Sequence, residues 1–300
     1  MLSAMVAVHS VNLVAFTVPD LIEAERFYKA FGLETDRAGR RLGVAAGGAC
    51  PVLSIHRTAG AKKLAFVCYG VFEEAIPEIE RRVEKAGLGC DPHPLGERAG
   101  VWLRDPDGIA IQVVPASRGL ASRKAEPAMV TKPAPARSAV GPVRPRRLSH
   151  VLRFTPDVPR MVRFCTEMLG LRLSDHSGDF IAFLHSPHGG DHHLVAFAKS
   201  ESPGLHHSSW EVGSIDEIGC GAEQMKRKGY SRGWGVGRHV IGSNYFYYVQ
   251  DPWGSFAEYS FDIDFIAASA DWQPRDYAPE DSLCVWGPAP PDDFVKNYEA

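Results

Sequence analysis

The chain has 300 residues, of which 45% are hydrophobic and 23% are charged, and its formal net charge is −3. These values are typical of a globular protein that is long enough for two domains with separate cores. They give no reason to expect nucleic acid or a membrane surface as a partner, and no apolar run approaches the ~20 residues that span a bilayer. The N-terminal residues lack a signal-peptide pattern and the six cysteines form no compact framework, so we expect a cytoplasmic protein with reduced thiols.

The first predicted elements are a strand at residues 11–17 and a helix at about 21–31, which Gly32 ends. A second strand and helix begin at "KLAFVCYGV", and their unit closes with "RDPDGIAIQVV". The DPxG turn at 105–108 introduces its last strand. Together these elements predict a first domain over residues 1–117.

Residues 118–147 are rich in proline, alanine and basic side chains, which predicts an exposed interdomain linker. The following segment, "SHVLRFTPDVPRMVRFCTEMLGLRL", repeats the opening pattern with a strand at 150–155 and a helix at about 159–169. A second DPxG turn again precedes a final strand, which predicts a second domain over 148–265. The tail over 266–300 has no counterpart in the first domain; we interpret it as a structural wrap, with a lid over a site as the alternative.

The pattern therefore consists of four related βαβββ units, two in each domain. A unit of this size must bury its apolar sheet face against a sister unit, so paired units are expected to enclose a shared cavity. The predicted fold class is α+β, with two domains that each pair two βαβββ modules.

Histidine is unevenly distributed, with three before position 149 and nine after it. Three candidate metal ligands fall at repeat positions where the first domain has other residues: His150 aligns with Asn12, His207 with about Lys63, and Glu258 with Gln112. Two histidines and a carboxylate on one face of a metal form the ligand set of non-haem Fe(II), with positions left open for substrate and O2. A lone strand histidine is usually structural, but the coincidence of three with the repeat register favours a metal site.

The stretch "GRHVIGSNYFYYVQDPWGSFAEYSF" contains a histidine, a tyrosine nine residues later and a glutamate ten residues beyond that. With "LSHVLRFTPD", "HHLVAFA" and "LHHSSWEV", it resembles the two-domain type I extradiol ring-cleavage dioxygenases of the vicinal oxygen chelate (glyoxalase/bleomycin-resistance/dioxygenase) superfamily. The resemblance covers about residues 9–265. It implies the vicinal oxygen chelate fold, with metal only in the second domain.

The resemblance implies a role for each of six side chains. His150, His207 and Glu258 would hold the metal, His193 would be the acid–base residue, Tyr248 would bind a catecholate oxygen, and His239 would donate to bound oxygen or substrate. The implied cofactor is Fe(II), with Mn(II) also accepted, and the implied partners are a catechol and O2 in aromatic catabolism. A homo-oligomer is expected.

The sequence "HHLVAFAKSESPGLHH" holds two histidine pairs, and adjacent residues on a strand point to opposite faces. Only one histidine of each pair is then expected to face the cavity, and the resemblance selects His193 and His207. His192 and His206 would then face outwards, either as supporting partners of the two site histidines or as surface groups, and we favour the second interpretation.

The substrate is expected to carry a neutral or apolar substituent. In the homoprotocatechuate branch an arginine shortly before the position of His239 binds a substrate carboxylate, whereas here Arg232 and Arg238 are offset from that position. Leu152, two residues after His150, also favours an apolar wall.

Two alternatives stay open. One is another metal-dependent enzyme of this fold, a glyoxalase-like isomerase or a thiol transferase, which would not need His193, His239 and Tyr248 together. The other is a non-catalytic aromatic-binding protein, whose usual mark is loss of the metal ligands.

Overall fold

A computed structural model of the chain describes residues 5–118 and 134–300. Residues 119–133, which form half of the predicted linker, lie outside the described residues. Among the helices of the described ranges, none is both long and apolar enough to cross a membrane.

Residues 5–118 form a mixed seven-stranded sheet. Its strands are β1 (Ser10–Val18), β2 (Glu34–Ala38), β3 (Arg41–Ala45), β4 (Leu53–Arg57), β5 (Lys63–Val71), β6 (Val101–Arg104) and β7 (Ala110–Pro115). Their spatial order is β2–β3–β4–β1–β5–β7–β6, and the antiparallel pair β1 and β5 joins two modules. Helix α1 (Leu21–Phe31) contacts β2, β3 and β4, whereas helix α2 (Ile76–Ala86), preceded by a short 3-10 helix at Glu73–Ala75, contacts β6 and β7. In the second module the strand expected directly after α2 is reduced to a bridge between Gly89 and Leu103.

Residues 134–300 form a ten-stranded sheet and a separate two-stranded pair. The elements are β8 (Arg147–Thr155), α3 (Val158–Glu167), β9 (Arg172–Ser177), β10 (Ile181–His185), β11 (Gly190–Asp191), β12 (Val195–Lys199), β13 (Gly204–Glu211), α4 (Ile215–Arg227), β14 (Gly233–His239), β15 (Tyr245–Gln250), β16 (Phe256–Phe261), β17 (Phe265–Ile266), β18 (Arg275–Asp276) and β19 (Cys284–Trp286). Short 3-10 helices lie at Arg137–Ala139 and Pro279–Asp281. The sheet order is β18–β9–β10–β12–β8–β13–β16–β15–β14–β19, so the tail supplies both edge strands.

The predicted α+β fold of paired modules is confirmed, and both helices predicted from the opening repeat are present. Helix α1 begins after Asp20, whose carboxylate accepts from the backbone of Ile22 and Glu23, and ends at Gly32 with φ 95°. Helix α3 is similarly capped by Asp157 but begins one residue earlier and ends two residues earlier than predicted.

The strand register corrects one alignment made from the sequence. Ala110 and Phe256 each lie five residues after the aspartate of a DPxG turn. Phe66 pairs with Ala110 in the first sheet, and His207 pairs with Phe256 in the second. The counterpart of His207 is therefore Phe66, and the alignment with Lys63 is wrong. Phe66 is buried in an apolar cluster with Trp102, their rings 5.2 Å apart. In the first half, aromatic side chains therefore occupy the space that histidine occupies in the second half.

In the described part of the chain, two buried ion pairs join the halves reciprocally. Asp105 of the first DPxG turn accepts backbone N–H bonds from its own turn with Oδ1 and pairs through Oδ2 with Arg153 of β8. Asp251 of the second turn does the same, and its Oδ2 accepts from Lys62 of the first half. Each turn thus contributes an acidic group that a basic residue of the other half satisfies.

The end of the predicted linker is packed rather than exposed. Val143 is buried, and its backbone N–H donates to the side-chain oxygen of Gln224 in α4. The Gln224 amide also donates to the backbone oxygen of Ala30 in α1. Arg147 is already the first residue of β8. The linker therefore anchors α4 to α1 before the second sheet begins.

We expect Arg153→Met to destabilise the protein by about 3–5 kcal/mol, because it leaves the Asp105 carboxylate buried without its partner. The free energy of unfolding in urea is the measurement. The matched control is Arg26→Met, which removes an exposed pair with Glu23 and should cost less than about 1 kcal/mol. A loss for Arg153→Met as small as that of the control would contradict a structural role for the pair.

Candidate metal centre and active site

Three neighbouring strands bring the predicted metal ligands together. His150 lies in β8, His207 in β13 and Glu258 in β16, and all three side chains are buried. The Nε2 atoms of His150 and His207 lie 3.3 and 3.5 Å from the same atom, Oε2 of Glu258. One ligand atom of each residue lies within 4.8 Å of the other two, so the group can hold a single metal ion.

Unpaired buried atoms support this interpretation. Nε2 of His207 and Oε2 of Glu258 have no hydrogen-bond partner among the described residues. Leaving a buried polar atom unpaired costs about 1–3 kcal/mol, and such groups in native structures need an explanation. The other carboxylate oxygen of Glu258 accepts from Asn244, so Oε2 is the oxygen left for a ligand. Two imidazole nitrogens and one carboxylate oxygen fit Fe(II) or Mn(II).

The protonation of His207 is determined by its neighbour His206. Nε2 of His206 lies 2.7 Å from the backbone oxygen of Phe294, which can only accept, so this nitrogen carries the proton. In the neutral ring Nδ1 of His206 is then an acceptor, and it lies 2.7 Å from Nδ1 of His207. His207 therefore donates from Nδ1 and leaves the Nε2 lone pair free for the metal.

His150 is held in the same tautomer by a different chain of bonds. The Ser149 hydroxyl donates to Oδ2 of Asp191 at 2.7 Å, and Arg147 binds both oxygens of that carboxylate. Having used its proton, the hydroxyl can only accept from Nδ1 of His150, 3.3 Å away. The Nε2 lone pair of His150 consequently also points towards Glu258.

The paired histidines correct the sequence-based interpretation. His192 and His206 are buried, not outward-facing surface groups. The strand-alternation argument fails because the β8–β13 register shifts between Leu205 and His207, and because His192 and His193 precede β12. Both members of each pair are within hydrogen-bond distance of each other through their Nδ1 atoms.

The three predicted catalytic side chains surround the metal group. The ring of His193 lies 4.0 Å from that of His150, centroid to centroid. Nε2 of His239 lies 3.0 Å from the hydroxyl of Tyr248 and 3.8 Å from Glu258. Nδ1 of His239 is 2.8 Å from the backbone oxygen of Leu283, so His239 is protonated there and accepts from Tyr248.

Burial determines the charge state of the site. It lowers the pKa of His193 and His207 well below the usual value, with the neighbouring histidines adding to the effect, and it lowers the pKa of His239 against the opposing influence of Glu258. Burial opposes ionisation of Glu258, and the Asn244 amide that donates to its Oε1 favours the carboxylate. The rings of His193, His207 and His239 are thus neutral, which is the form in which imidazole binds a metal.

The four histidines of the site and Tyr248 line a cavity of about 600 Å³, and Glu258 lies buried behind its wall. Apart from the polar groups at its base its walls are mainly apolar, with contributions from Leu152, Phe180, Phe183, Ile241, Phe294 and Val295. Its described lining contains no lysine or arginine, and Asp292 is its carboxylate outside the metal group. Arg232 pairs instead with Asp293, and Arg238 lies over the Tyr245 ring.

Sequence reasoning missed several supporting groups. Asn244 could have been found, because it lies four residues before Tyr248 and so on the same side of an extended segment. The backbone oxygens of Leu283 and Phe294 leave no such signal, because any residue type supplies a carbonyl. The tail is therefore part of the site's support.

Comparisons with known proteins agree with this geometry. The model of the Glyoxalase/Bleomycin resistance protein/Dioxygenase superfamily matches residues 147–259. Metapyrocatechase 2 of Cupriavidus necator is 47% identical over 98% of this chain and 93% of that protein. Biphenyl-2,3-diol 1,2-dioxygenase of Paraburkholderia xenovorans is 26% identical over 75% of this chain and 76% of that protein. The Mn(II)-bound glyoxalase from Novosphingobium aromaticivorans has a TM-score of 0.77 at 26% identity, covering 95% of this chain and 93% of that chain.

We expect His206→Leu to weaken metal binding by about 10–100-fold, because the Nδ1–H of His207 loses its acceptor. The measurement is anaerobic competition for Fe(II) against a coloured chelator. His206→Asn is the matched control, since its amide oxygen can replace the lost acceptor in a side chain of the same shape. Equal affinities for the two variants would contradict the role given to His206.

Proposed function

The chain belongs to the extradiol ring-cleaving catechol dioxygenases of the vicinal oxygen chelate superfamily, and we propose that its substrate is a catechol with a neutral or apolar substituent. The enzyme opens the ring beside the two hydroxyl groups and incorporates both atoms of O2. Its metal is Fe(II), with Mn(II) as the alternative. One observation carries the proposal: the three predicted metal ligands and the three predicted catalytic side chains lie together at the base of one mainly apolar cavity.

We assign the metal to His150, His207 and Glu258, whose unpaired Nε2 and Oε2 atoms support this choice. When bound, the metal supplies adjacent open positions at which a vicinal diol and O2 can meet. These three side chains come from three adjacent strands, β8, β13 and β16, so their ligand atoms would be rigidly placed around a bound metal.

His193 is the proposed general base. Its neutral ring can accept a proton from a catechol hydroxyl and later return that proton as the ring opens, a contribution of about 10²–10⁴-fold to the rate. The Phe183 ring, 4.9 Å from that of His193, excludes water on one side. An aromatic substrate seated over the metal group therefore meets His193 as its nearest free acceptor.

Tyr248 and His239 are proposed to bind the oxygen atoms of the reacting complex. The Tyr248 hydroxyl is kept protonated by burial and by Glu258, which raise its pKa well above the usual value, so it is a donor for a catecholate oxygen. His239 accepts from Tyr248 in the resting arrangement. Donation by His239 to bound oxygen or substrate thus requires that it first gain a proton, for which the substrate hydroxyl is a source.

The cavity favours neutral substituents. A carboxylated substituent of the substrate would enter a mainly apolar space without the cation it needs. It would also meet the carboxylate of Asp292 in the cavity lining. An alkyl or aryl group would instead bury its surface against Phe180, Ile241 and Val295. The offset of Arg232 and Arg238 from the cavity supports the same choice.

The test is anaerobic reconstitution with Fe(II), addition of a panel of diols, and admission of O2. We expect O2 uptake and a coloured ring-opened product with alkyl- and arylcatechols, at a kcat/KM at least about tenfold above that of carboxylated catechols, because one unsatisfied buried charge costs more than 1.4 kcal/mol. A 1,3-diol is the control that cannot chelate. If protein that holds one metal per chain took up no O2 with any vicinal diol, the result would contradict the assignment. It would favour an isomerase, a thiol transferase or a binding protein.

Two alanine variants separate metal binding from chemistry. His207→Ala should lose metal, as measured by metal analysis after gel filtration, because a ligand is removed. His193→Ala should keep its metal while kcat falls by about 10²–10⁴-fold, because only the base is removed. Loss of metal from His193→Ala would show that the roles within the pairs are reversed.

Two expectations stay predictions. One is a homo-oligomeric assembly, and the other is a cytoplasmic location. The edge strands of the ten-stranded sheet, β18 and β19, are only two and three residues long, so we propose that subunits associate through surfaces other than these edges.

A further inference from the structure

A buried chain of hydrogen bonds runs from Asp175 to the proposed base. Oδ2 of Asp175 lies 2.7 Å from Nε2 of His192, and Nδ1 of His192 lies 3.1 Å from Nδ1 of His193. The exposed fractions of the three residues are 2%, 0% and 3%, so water does not compete for these bonds. Asp175 comes from β9, whereas the two histidines lie between β11 and β12.

The direction of the bonds follows from which groups can donate. The carboxylate of Asp175 can only accept, so Nε2 of His192 carries the proton. In a neutral ring Nδ1 of His192 must then accept, and the donor is Nδ1 of His193. The single proton of His193 is therefore on Nδ1, on the side away from the substrate. Nε2 keeps its lone pair and is the basic atom.

The tail fixes the orientation of Asp175. The backbone N–H of Arg275 in β18 donates to Oδ1 of Asp175 at 2.8 Å. Trp272 lies edge-on to the His192 ring, with 5.4 Å between centroids, and its indole N–H donates to the backbone oxygen of Ser174. The two carboxylate oxygens therefore have distinct partners and cannot exchange roles.

We propose that Asp175 and His192 are positioning residues that hold His193 in its Nδ1–H tautomer and thereby make Nε2 the base of the ring-opening reaction. This inference rests on the proposed function of His193. Neither residue lines the cavity, whereas His193 does, so both act through His193.

Asp175→Asn tests the tautomer directly. The amide oxygen must face the N–H of Arg275, so the amide NH2 faces Nε2 of His192 and donates to it. His192 then carries its proton on Nδ1 and donates to His193, whose own proton moves to Nε2. We expect kcat to fall by about 100-fold, within the range of general acid–base catalysis, while KM and metal content change little.

Asp276→Asn is the control for this change. Asp276 follows Arg275 in β18. Its Oδ1 accepts from the backbone N–H of Gly178 at the exposed edge of the sheet. An amide oxygen can accept that bond equally well. The control should therefore keep the kcat of the unmodified enzyme.

A second pair of variants keeps the test decisive if Asp175→Asn folds poorly. His192→Asn can place an amide oxygen near the position of Nδ1 and accept from His193, whereas His192→Leu has the same shape and no acceptor. We expect kcat within about tenfold of the unmodified enzyme for the asparagine variant and a fall of about 100-fold for the leucine variant. If His192 had a purely structural role, the asparagine and leucine variants, whose side chains have equal shape, would not differ in kcat in this direction.

Nitrogen-15 NMR of the metal-free full-length protein reads the tautomer without turnover. With 15N-labelled histidine, the His193 signals, identified by their loss in His193→Ala, should show a proton on Nδ1 in the unmodified protein and on Nε2 in Asp175→Asn. Unchanged kcat in both Asp175→Asn and His192→Leu, or an Nε2–H tautomer in the unmodified protein, would overturn the inference. Full activity of His193→Ala would instead overturn the proposed base, which distinguishes the two failures.

Discussion

A neutral imidazole carries one proton on two nitrogen atoms, and the site depends on this constraint. Of the five described histidines in the cavity lining, His206 donates from Nε2 to the Phe294 carbonyl, and the other four each place Nδ1 against an acceptor on the outer side: His150 against Ser149, His193 against His192, His207 against His206, and His239 against the Leu283 carbonyl. The Nε2 lone pair of each of these four is therefore directed inwards. The proposed metal ligation, the proposed proton abstraction and the acceptance from Tyr248 all need the same inward lone pair, so one rule of bonding would serve all three.

Backbone groups of the tail connect it to the site. The Phe294 carbonyl fixes His206, the Leu283 carbonyl fixes His239, and the Arg275 N–H orients the carboxylate of Asp175. Because these are backbone groups, they impose almost no requirement on residue type, and a pattern of side chains cannot reveal them. The tail is thus more than a wrap around the second half, since it contributes to the protonation pattern of the residues it covers.

The sequence was sufficient to predict the framework and to predict that His150, His207 and Glu258 lie together, because the βαβββ repeat sets the strand register and the register places them on neighbouring strands. It was insufficient where local geometry departs from a regular strand. The shift beside Leu205 turns His206 inwards, and His192 precedes its strand, so the alternation rule did not apply to either pair. The Lys63 alignment failed for a related reason, since only the pairing of β5 with β7 identifies Phe66 as the counterpart of His207.

The two halves show how one scaffold divides stability from chemistry. In the first half Phe66 and Trp102 fill the equivalent space, and the Gln112 amide at the position of Glu258 donates to two backbone oxygens. In the second half the same positions carry buried atoms without partners, which destabilise the protein unless a metal is bound. The reciprocal pairs of Asp105 with Arg153 and Asp251 with Lys62 couple the halves. The well-packed first half is therefore tied by buried ion pairs to the half whose predicted metal ligands lack partners.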